Sequence, residues 1–301
     1  MRRILITGSN GLLGQKLVKL FLEKPEYEVL ATARGENRLP FKVGYRYAQM
    51  DITKKAEVES VIEDFKPHLL INTAAMTNVD QCEDAKEECW QQNVEAVGYM
   101  VAACTKIDCY LLHVSTDFIF DGSKGPLDEK AEANPISFYG WSKWAAEKTV
   151  IHSGIRWGIA RTVLVYGIAA DMSRSNIILW VKNSLENGKK ISVVTDQWRT
   201  PTLAEDLAEG CFLMAQKEAE GIFNISGKDF MNPYDMAMAT ADFFKLDKSL
   251  ISKADASSFT QRAKRPPITG FHIDKAREIL GYEPHSFEEG IKILSEQLQV
   301  Q

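Results

Sequence analysis

The stretch TGSNGLLG, residues 7 to 14, lies between the short apolar run RILIT and a segment with Leu13, Leu17, Leu20 and Phe21 at i, i+4, i+7 and i+8. The run predicts a strand and the spacing predicts a helix, so three glycines stand where a first strand turns into a first helix. Gly8 permits the tight turn, Gly11 lets the backbone approach a pyrophosphate, and Gly14 lets helix and strand pack closely. Ser9, Asn10, Leu12 and Leu13 complete the loop, and the helix N-terminus offers amide donors and a partial positive charge to an anion. The competing reading is a glycine-rich turn that holds no ligand. Its position in the first strand-to-helix turn favours the dinucleotide site.

The rest of the chain supplies the architecture that this turn requires. YEVLATA, YRYAQMD, HLLINTAA and CYLLHVST read as further strands and WGIARTVLVYG as a sixth, with helix-period segments between them, such as Val58, Val61, Ile62 and Phe65. Strands that are nearly continuous in apolar residues suit a parallel sheet covered on both faces. We therefore expect an α/β fold, a doubly wound Rossmann-type parallel sheet, with a second, smaller C-terminal α/β substrate domain. The expected boundary puts residues 1–167 in the dinucleotide-binding domain and 168–301 in the smaller one, with a helix near 203–217 returning to the first. Phe287, Ile291, Leu294 and Leu298 predict a closing helix with one apolar face.

Composition narrows the partners. A net charge of -5 argues against a nucleic-acid or anionic-membrane surface, so an anionic ligand must be met by local positive groups. No stretch approaches a membrane span in length. The five cysteines, Cys82, Cys89, Cys104, Cys109 and Cys211, show no C-x-x-C spacing and read as reduced thiols of a cytoplasmic protein. The histidines share no metal-ligand spacing, and no metal is expected. His113, inside a predicted buried strand, reads as a hydrogen-bonded core residue.

Two further positions carry chemistry. An NAD site places an acid about 20 residues beyond the glycines, but this chain has Arg34 there, with Arg38 nearby. A guanidinium matches a 2′-phosphate, so NADP(H) is preferred and NAD(H) is possible. Tyr139 and Lys143, four apart on a predicted helix, share one face. An ammonium at about 4 Å contributes roughly 4 kcal/mol at an effective dielectric of 20, enough to draw a phenol down before burial pushes back. Tyr139 can then exchange a proton with a carbonyl oxygen while Thr116, at the end of the fifth strand, holds that oxygen. The competing reading is a capping aromatic and a solvated lysine. Of the nine tyrosines, only Tyr139 has a lysine four residues on. Trp141 and Trp144 read as packing or as a lip of the cleft.

These residues resemble the extended short-chain dehydrogenases/reductases: the glycine turn is similar to theirs, and Thr116, Tyr139 and Lys143 match their catalytic triad. INTAAMTNVDQCE, STDFIFDG, NPISFYGWSK, RTVLVYG, VVTDQWRTPTLAEDLA and the RP of Arg265 and Pro266 extend the resemblance over nearly the whole chain. It is strongest for the members that reduce nucleotide-linked 4-keto-6-deoxyhexoses with NADPH. The resemblance implies Asp51 and Ile52 beside the adenine, Ala74 and Ala75 along the cofactor backbone, and Lys143 on the nicotinamide ribose. It also implies a sugar-nucleotide substrate near Thr77, Val79, Thr116, Asp117, Arg199 and Arg265. Arg199, Arg262, Lys264 and Arg265 are candidates for a diphosphate, each also readable as a surface charge. A 4,6-dehydratase would need a second carboxylate after Asp117, where Phe118 stands. A 4-epimerase would keep NAD, against which Arg34 argues. A non-catalytic, NADP-binding regulatory subunit like that of methionine adenosyltransferase remains open. Monomer and homodimer are equally compatible with the sequence.

Overall fold

The computed structural model describes residues 1–171 and 175–300. In chain order the first half runs β1 (Arg2–Thr7), α1 (Leu12–Leu22), β2 (Tyr27–Ala33), β3 (Arg46–Gln49), α2 (Lys55–Phe65), β4 (Leu69–Asn72), α3 (Val79–Asp84) and α4 (Lys86–Trp90). A π-turn at Gln91–Glu95 leads into α5 (Ala96–Ile107), followed by β5 (Tyr110–Thr116), α6 (Phe138–Ile151), β6 (Trp157–Thr162) and β7 (Val165–Tyr166). Then come α7 (Ile177–Glu186), β8 (Ile191–Val194), β9 (Thr202–Leu203), α8 (Ala204–Lys217), β10 (Gly221–Asn224), α9 (Pro233–Phe244), β11 (Ile251–Ala254), α10 (Asp274–Leu280) and α11 (Phe287–Val300).

Among the described residues the main sheet has seven strands in the order β10-β6-β5-β4-β1-β2-β3, every neighbouring pair parallel. Successive side chains of a strand point to opposite faces, and the apolar strands obey this. Ile4, Ile6, Leu69, Ile71, Tyr110 and Leu112 pack with Leu17 and Phe21 of α1 and Leu207, Cys211 and Phe212 of α8. Leu5, Leu70 and Leu111 pack on the other side with Val58 and Ile62 of α2, Val97 and Met100 of α5, and Ala146 and Val150 of α6. The strand order reverses at β1, between β2 and β4, and such a switch point opens a crevice beyond the carboxyl ends of the strands.

Residues beyond Gly167 reach this layer through α8, α10 and the edge strand β10, which pairs with β6 from Gly221↔Gly158 to Asn224↔Arg161. The others form a smaller assembly around the parallel pair β8 and β11, flanked by α7 and α9. Phe287, Ile291 and Leu294 of α11 are buried against Ile178 and Met236. The single strand expected over 157–167 is two: Leu164 takes φ 39° and separates β6 from β7. Beyond the break, β7 leaves the main sheet and pairs with β9.

Candidate active site

The site is built where β1, β4, β5 and α6 converge. At the β1–α1 turn Gly8 takes φ 65°, and a Cβ on Gly14 would stand 2.3 Å from the Gly8 carbonyl oxygen. The first turn of α1 carries no acid, and Gly11 at its N-cap offers no capping side chain, so its orphan amides face the crevice without internal competition. Asn10 ties this turn to the loop after β2: its Nδ2 donates to the Glu36 carbonyl at 2.8 Å, and its Oδ1 accepts from the Arg38 amide at 2.9 Å.

A cleft of ≈ 530 Å³ gathers Gly8, Gly11, Leu12, Leu13, Gly14, Ala75, Thr77, Val79, Thr116, Asp117, Tyr139 and Lys143 along its walls. It shares Gly11, Leu12, Thr77, Leu164 and Val165 with a second cleft of ≈ 500 Å³ that also touches Asn10 and Arg38. Ser9 is buried beneath the turn. The Ala74 amide donates to Thr7 Oγ1 at 3.3 Å. Arg34 is exposed just past β2. Asp51, just past β3, accepts from the Thr53 amide and hydroxyl at 3.0 and 2.8 Å, and Ile52 packs into the core under α2. These last three lie outside both clefts.

α6 comes close to the end of β5 because Gly140 leaves room: a Cβ there would stand 2.2 Å from the Phe118 carbonyl oxygen. Ser137 caps the helix, accepting from the Gly140 amide at 3.2 Å. Tyr139 is thereby buried beside Phe118, Met76, Cys82 and Cys89, and its phenol hydrogen-bonds the Thr116 hydroxyl. Burial pushes the phenol above its ordinary range; the Thr116 bond pulls against this, and the Asp117 charge adds to it. The expectation that Lys143 lowers the phenol is thus reversed by desolvation. Lys143 is itself lowered to about 8 by burial, with Glu147 partly offsetting the shift. Its Nζ lies 3.1 Å from His113 Nε2 and donates to the Val114 carbonyl at 2.8 Å. A phenol held protonated is a donor, which is the role a ketone reduction asks of it.

The cationic side of the expected substrate site differs from expectation. Arg199 is buried, and its guanidinium donates to the carbonyls of Trp198, Pro266 and Pro267 at 2.7, 2.6 and 3.0 Å, with Asp117 at 3.7 Å. Arg265 pairs with Asp80 at 2.7 Å and Arg262 with Asp84, while Lys264 is exposed. Three of the four cations proposed for a diphosphate are therefore already engaged: Arg199 and Arg265 because buried or half-buried charge must be matched nearby, and Arg262 in an exposed surface pair. Asp117 is held by Arg199 and by hydroxyls of Thr269 and Thr116. Phe118 lines the cleft directly after it, so no second carboxylate stands there for dehydration. Trp141 is 48% exposed, and Trp144 sits under the Lys148 ammonium at 3.7 Å; neither lines the cleft.

Several residues that line the cleft or brace its walls escape sequence reasoning. Leu164 has no distinguishing neighbour in sequence, yet its left-handed backbone leaves it 44% exposed over both clefts. Asn93 sits in the π-turn and bonds Met76 N at 2.8 Å and Ser142 Oγ at 2.9 Å, joining the loop after β4 to α6. Ser115 Oγ is buried without a hydrogen-bond partner and Ser115 lines the cleft. An orphaned hydroxyl and a cradle that a Cβ would fill both fit a dinucleotide lying across the turn.

A parallel sheet in this order, a glycine turn at its switch point, and a buried tyrosine and lysine one helical turn apart together define an extended short-chain dehydrogenase/reductase. The model described as the RmlD substrate binding domain matches residues 1–300, and the chain belongs to that family. It is 31% identical over 304 residues to a dTDP-4-dehydrorhamnose reductase from Aggregatibacter actinomycetemcomitans, covering 97% of this chain and 98% of that protein. It is 30% identical over 253 residues to methionine adenosyltransferase 2 subunit beta from Bos taurus, covering 82% of this chain and 74% of that one. A solved dTDP-4-dehydrorhamnose reductase from Clostridium acetobutylicum superposes with a TM-score of 0.88 at 28% identity over 99% of both chains.

Proposed function

We propose that this protein is an NADPH-dependent reductase of the C4 ketone of a nucleotide-linked 4-keto-6-deoxyhexose, with dTDP-4-dehydrorhamnose as its substrate. The observation that carries this reading is the meeting of Thr116, Tyr139 and Lys143 in the cleft under the glycine turn, in a chain alike end to end to a dTDP-4-dehydrorhamnose reductase. Gly8, Gly11 and Gly14 with the α1 amides hold the pyrophosphate, and Ala74, Ala75 and Lys143 line the path toward the nicotinamide. The dinucleotide supplies the hydride for C4. Tyr139 delivers the proton to the carbonyl oxygen as charge develops on it, and Thr116 steadies that oxygen with its hydroxyl. Lys143 grips the ribose and restores the proton of Tyr139. The residues after Gly167 close over the sugar nucleotide.

The deciding assay is NADPH oxidation with dTDP-4-dehydrorhamnose generated in situ. Turnover is expected; cofactor binding without turnover on any 4-keto sugar nucleotide would defeat the proposal. The likeness to methionine adenosyltransferase 2 subunit beta supports a second reading, a regulatory NADP-binding subunit. It predicts the opposite pair of results: no turnover here, and altered activity of a methionine adenosyltransferase catalytic subunit on mixing.

Arg34 and Arg38 are the exposed cations beside the β2 end, and a guanidinium there pairs with a 2′-phosphate. Arg34→Asp is expected to shift the NADPH-to-NADH ratio of kcat/KM by about tenfold or more toward NADH, the loss of one charge-assisted contact. An unchanged ratio would show that Arg34 does not read the phosphate.

A further inference from the structure

A buried polar row crosses the otherwise apolar sheet. Thr7, Asn72 and His113 are register partners on the adjacent strands β1, β4 and β5, so their side chains emerge on one face. It is the face that α6 covers, because Leu5, Leu70 and Leu111, two residues earlier on each strand, pack with Ala146 and Val150. Thr7 Oγ1 donates to Asn72 Oδ1 at 2.6 Å, Asn72 Nδ2 lies 3.1 Å from His113 Nδ1, and His113 Nε2 lies 3.1 Å from Lys143 Nζ. All four side chains are buried, His113 to 1% exposure. At its far end the row reaches the loop after β4, where the Thr73 hydroxyl donates to the Thr7 carbonyl and Thr73 lines the cleft.

We infer that His113 is a positioning residue, whose Nε2 accepts a hydrogen bond from the Lys143 head group in either of its protonation states while the Thr7–Asn72 end of the row holds the ring. The inference rests on the proposed role of Lys143 in restoring the proton of Tyr139. A neutral imidazole has one donor and one acceptor nitrogen, an amide offers both an oxygen and an NH₂, and a hydroxyl does both. An ammonium and an amine both carry N–H bonds, so with the ring proton on Nδ1 either form of Lys143 donates to Nε2 and to the Val114 carbonyl. The Nδ1–H then donates to Asn72 Oδ1, with the side-chain amide turned over so that its NH₂ donates to Thr7 Oγ1. The ring, the amide and the lysine therefore stay bonded when Lys143 loses its proton, with no proton moving on the imidazole. In the step this serves, the phenolate left by proton donation takes a proton from the ammonium, leaving phenol and amine, and the amine keeps its hydrogen bond to Nε2. Around Lys143 the titratable groups are His113 on β5, Tyr139 and Glu147 on α6, and Cys89 on α4. Glu147 is paired to Arg161. Burial keeps His113 well below its ordinary value, hence neutral, while Lys143 sits at about 8, so the lysine is the member that titrates.

The experiment compares His113→Gln, whose amide reaches Lys143, with His113→Asn, whose shorter amide reaches Asn72 only; both keep a polar group in the core. The full chain is labelled with ¹³Cε-lysine, and the Lys143 resonance is assigned by its loss in Lys143→Arg. In His113→Asn, the Lys143 midpoint is expected to fall by about one pH unit, since the ammonium loses an acceptor in a desolvated site. The alkaline limb of kcat/KM should move to lower pH with it, and kcat should drop about tenfold. His113→Gln should keep the midpoint and most of kcat. Equal midpoints in wild type and His113→Asn, or equal losses in the Gln and Asn variants, would overturn the inference. Because the midpoint is read without substrate, it stands apart from the activity proposal. A normal kcat in Tyr139→Phe would remove the reading of the tyrosine and lysine, whereas an inactive Tyr139→Phe with unperturbed His113 variants would remove only the role of His113.

Discussion

Tyr139→Phe is expected to lower kcat on dTDP-4-dehydrorhamnose by on the order of 10²-fold or more while NADPH affinity stays nearly unchanged, the size of effect that one general acid supplies. The physical basis is that the phenol is buried, bonded to Thr116 and kept protonated by desolvation, so only its hydroxyl distinguishes it from phenylalanine in this pocket. The ring contact with Phe118, 5.7 Å between centroids, survives the substitution, and the fold is therefore expected to hold. A loss confined to kcat identifies an interaction made in the transition state rather than in binding. Steady-state kinetics with a fluorescence titration of NADPH separates the two. Turnover within a fewfold of wild type would take Tyr139 out of the chemistry.

Arg161→Met is expected to cost about 3–5 kcal/mol of stability, the usual result of removing one partner from a buried ion pair. Arg161 of β6 meets Glu147 of α6 through two hydrogen bonds, Nε to Oε1 at 3.0 Å and Nη2 to Oε2 at 2.7 Å, with the side chains 5% and 1% exposed. The substitution strands a carboxylate where water does not reach. Urea unfolding gives the number directly, provided the slope is unchanged. The double variant Arg161→Met, Glu147→Leu should recover most of the loss, because it removes the unpaired charge as well. A single variant within about 1 kcal/mol of wild type would show that the pair is solvated or replaceable, since exposed pairs contribute no more than that. The pair also bears on the site. Glu147 stands one turn beyond Lys143 on α6, so the clamp sets where that helix lies against the sheet.

Much of this could be read from the residues in order. The alternation of apolar runs with helix-period segments marks the strands of the sheet, because hydrophobic periodicity is a local property that each face of the core enforces. The triplet Gly8, Gly11 and Gly14 marks the turn for the same kind of reason: a 2.3 Å approach of backbone to a would-be Cβ leaves no other residue possible at Gly14. The i, i+4 spacing of Tyr139 and Lys143 predicts that they share a helix face, but not that Lys143 turns toward His113. The arginines show the limit more sharply. Arg199 and Arg265 look alike in sequence to any surface cation, and only their surroundings reveal that carbonyls and carboxylates already occupy their donors.

The sequence by itself determined the parallel sheet, the glycine turn and which tyrosine and lysine lie on one helix, since each rests on spacing within a few residues. The tertiary structure decided what those groups meet. It joined Thr7, Asn72 and His113 from three strands into one row ending on Lys143. It broke the sixth strand at Leu164 and set burial above charge attraction at Tyr139. Such outcomes depend on desolvation and on partners 30 to 65 residues away in the chain, and neither quantity exists until the sheet and α6 have closed on one another.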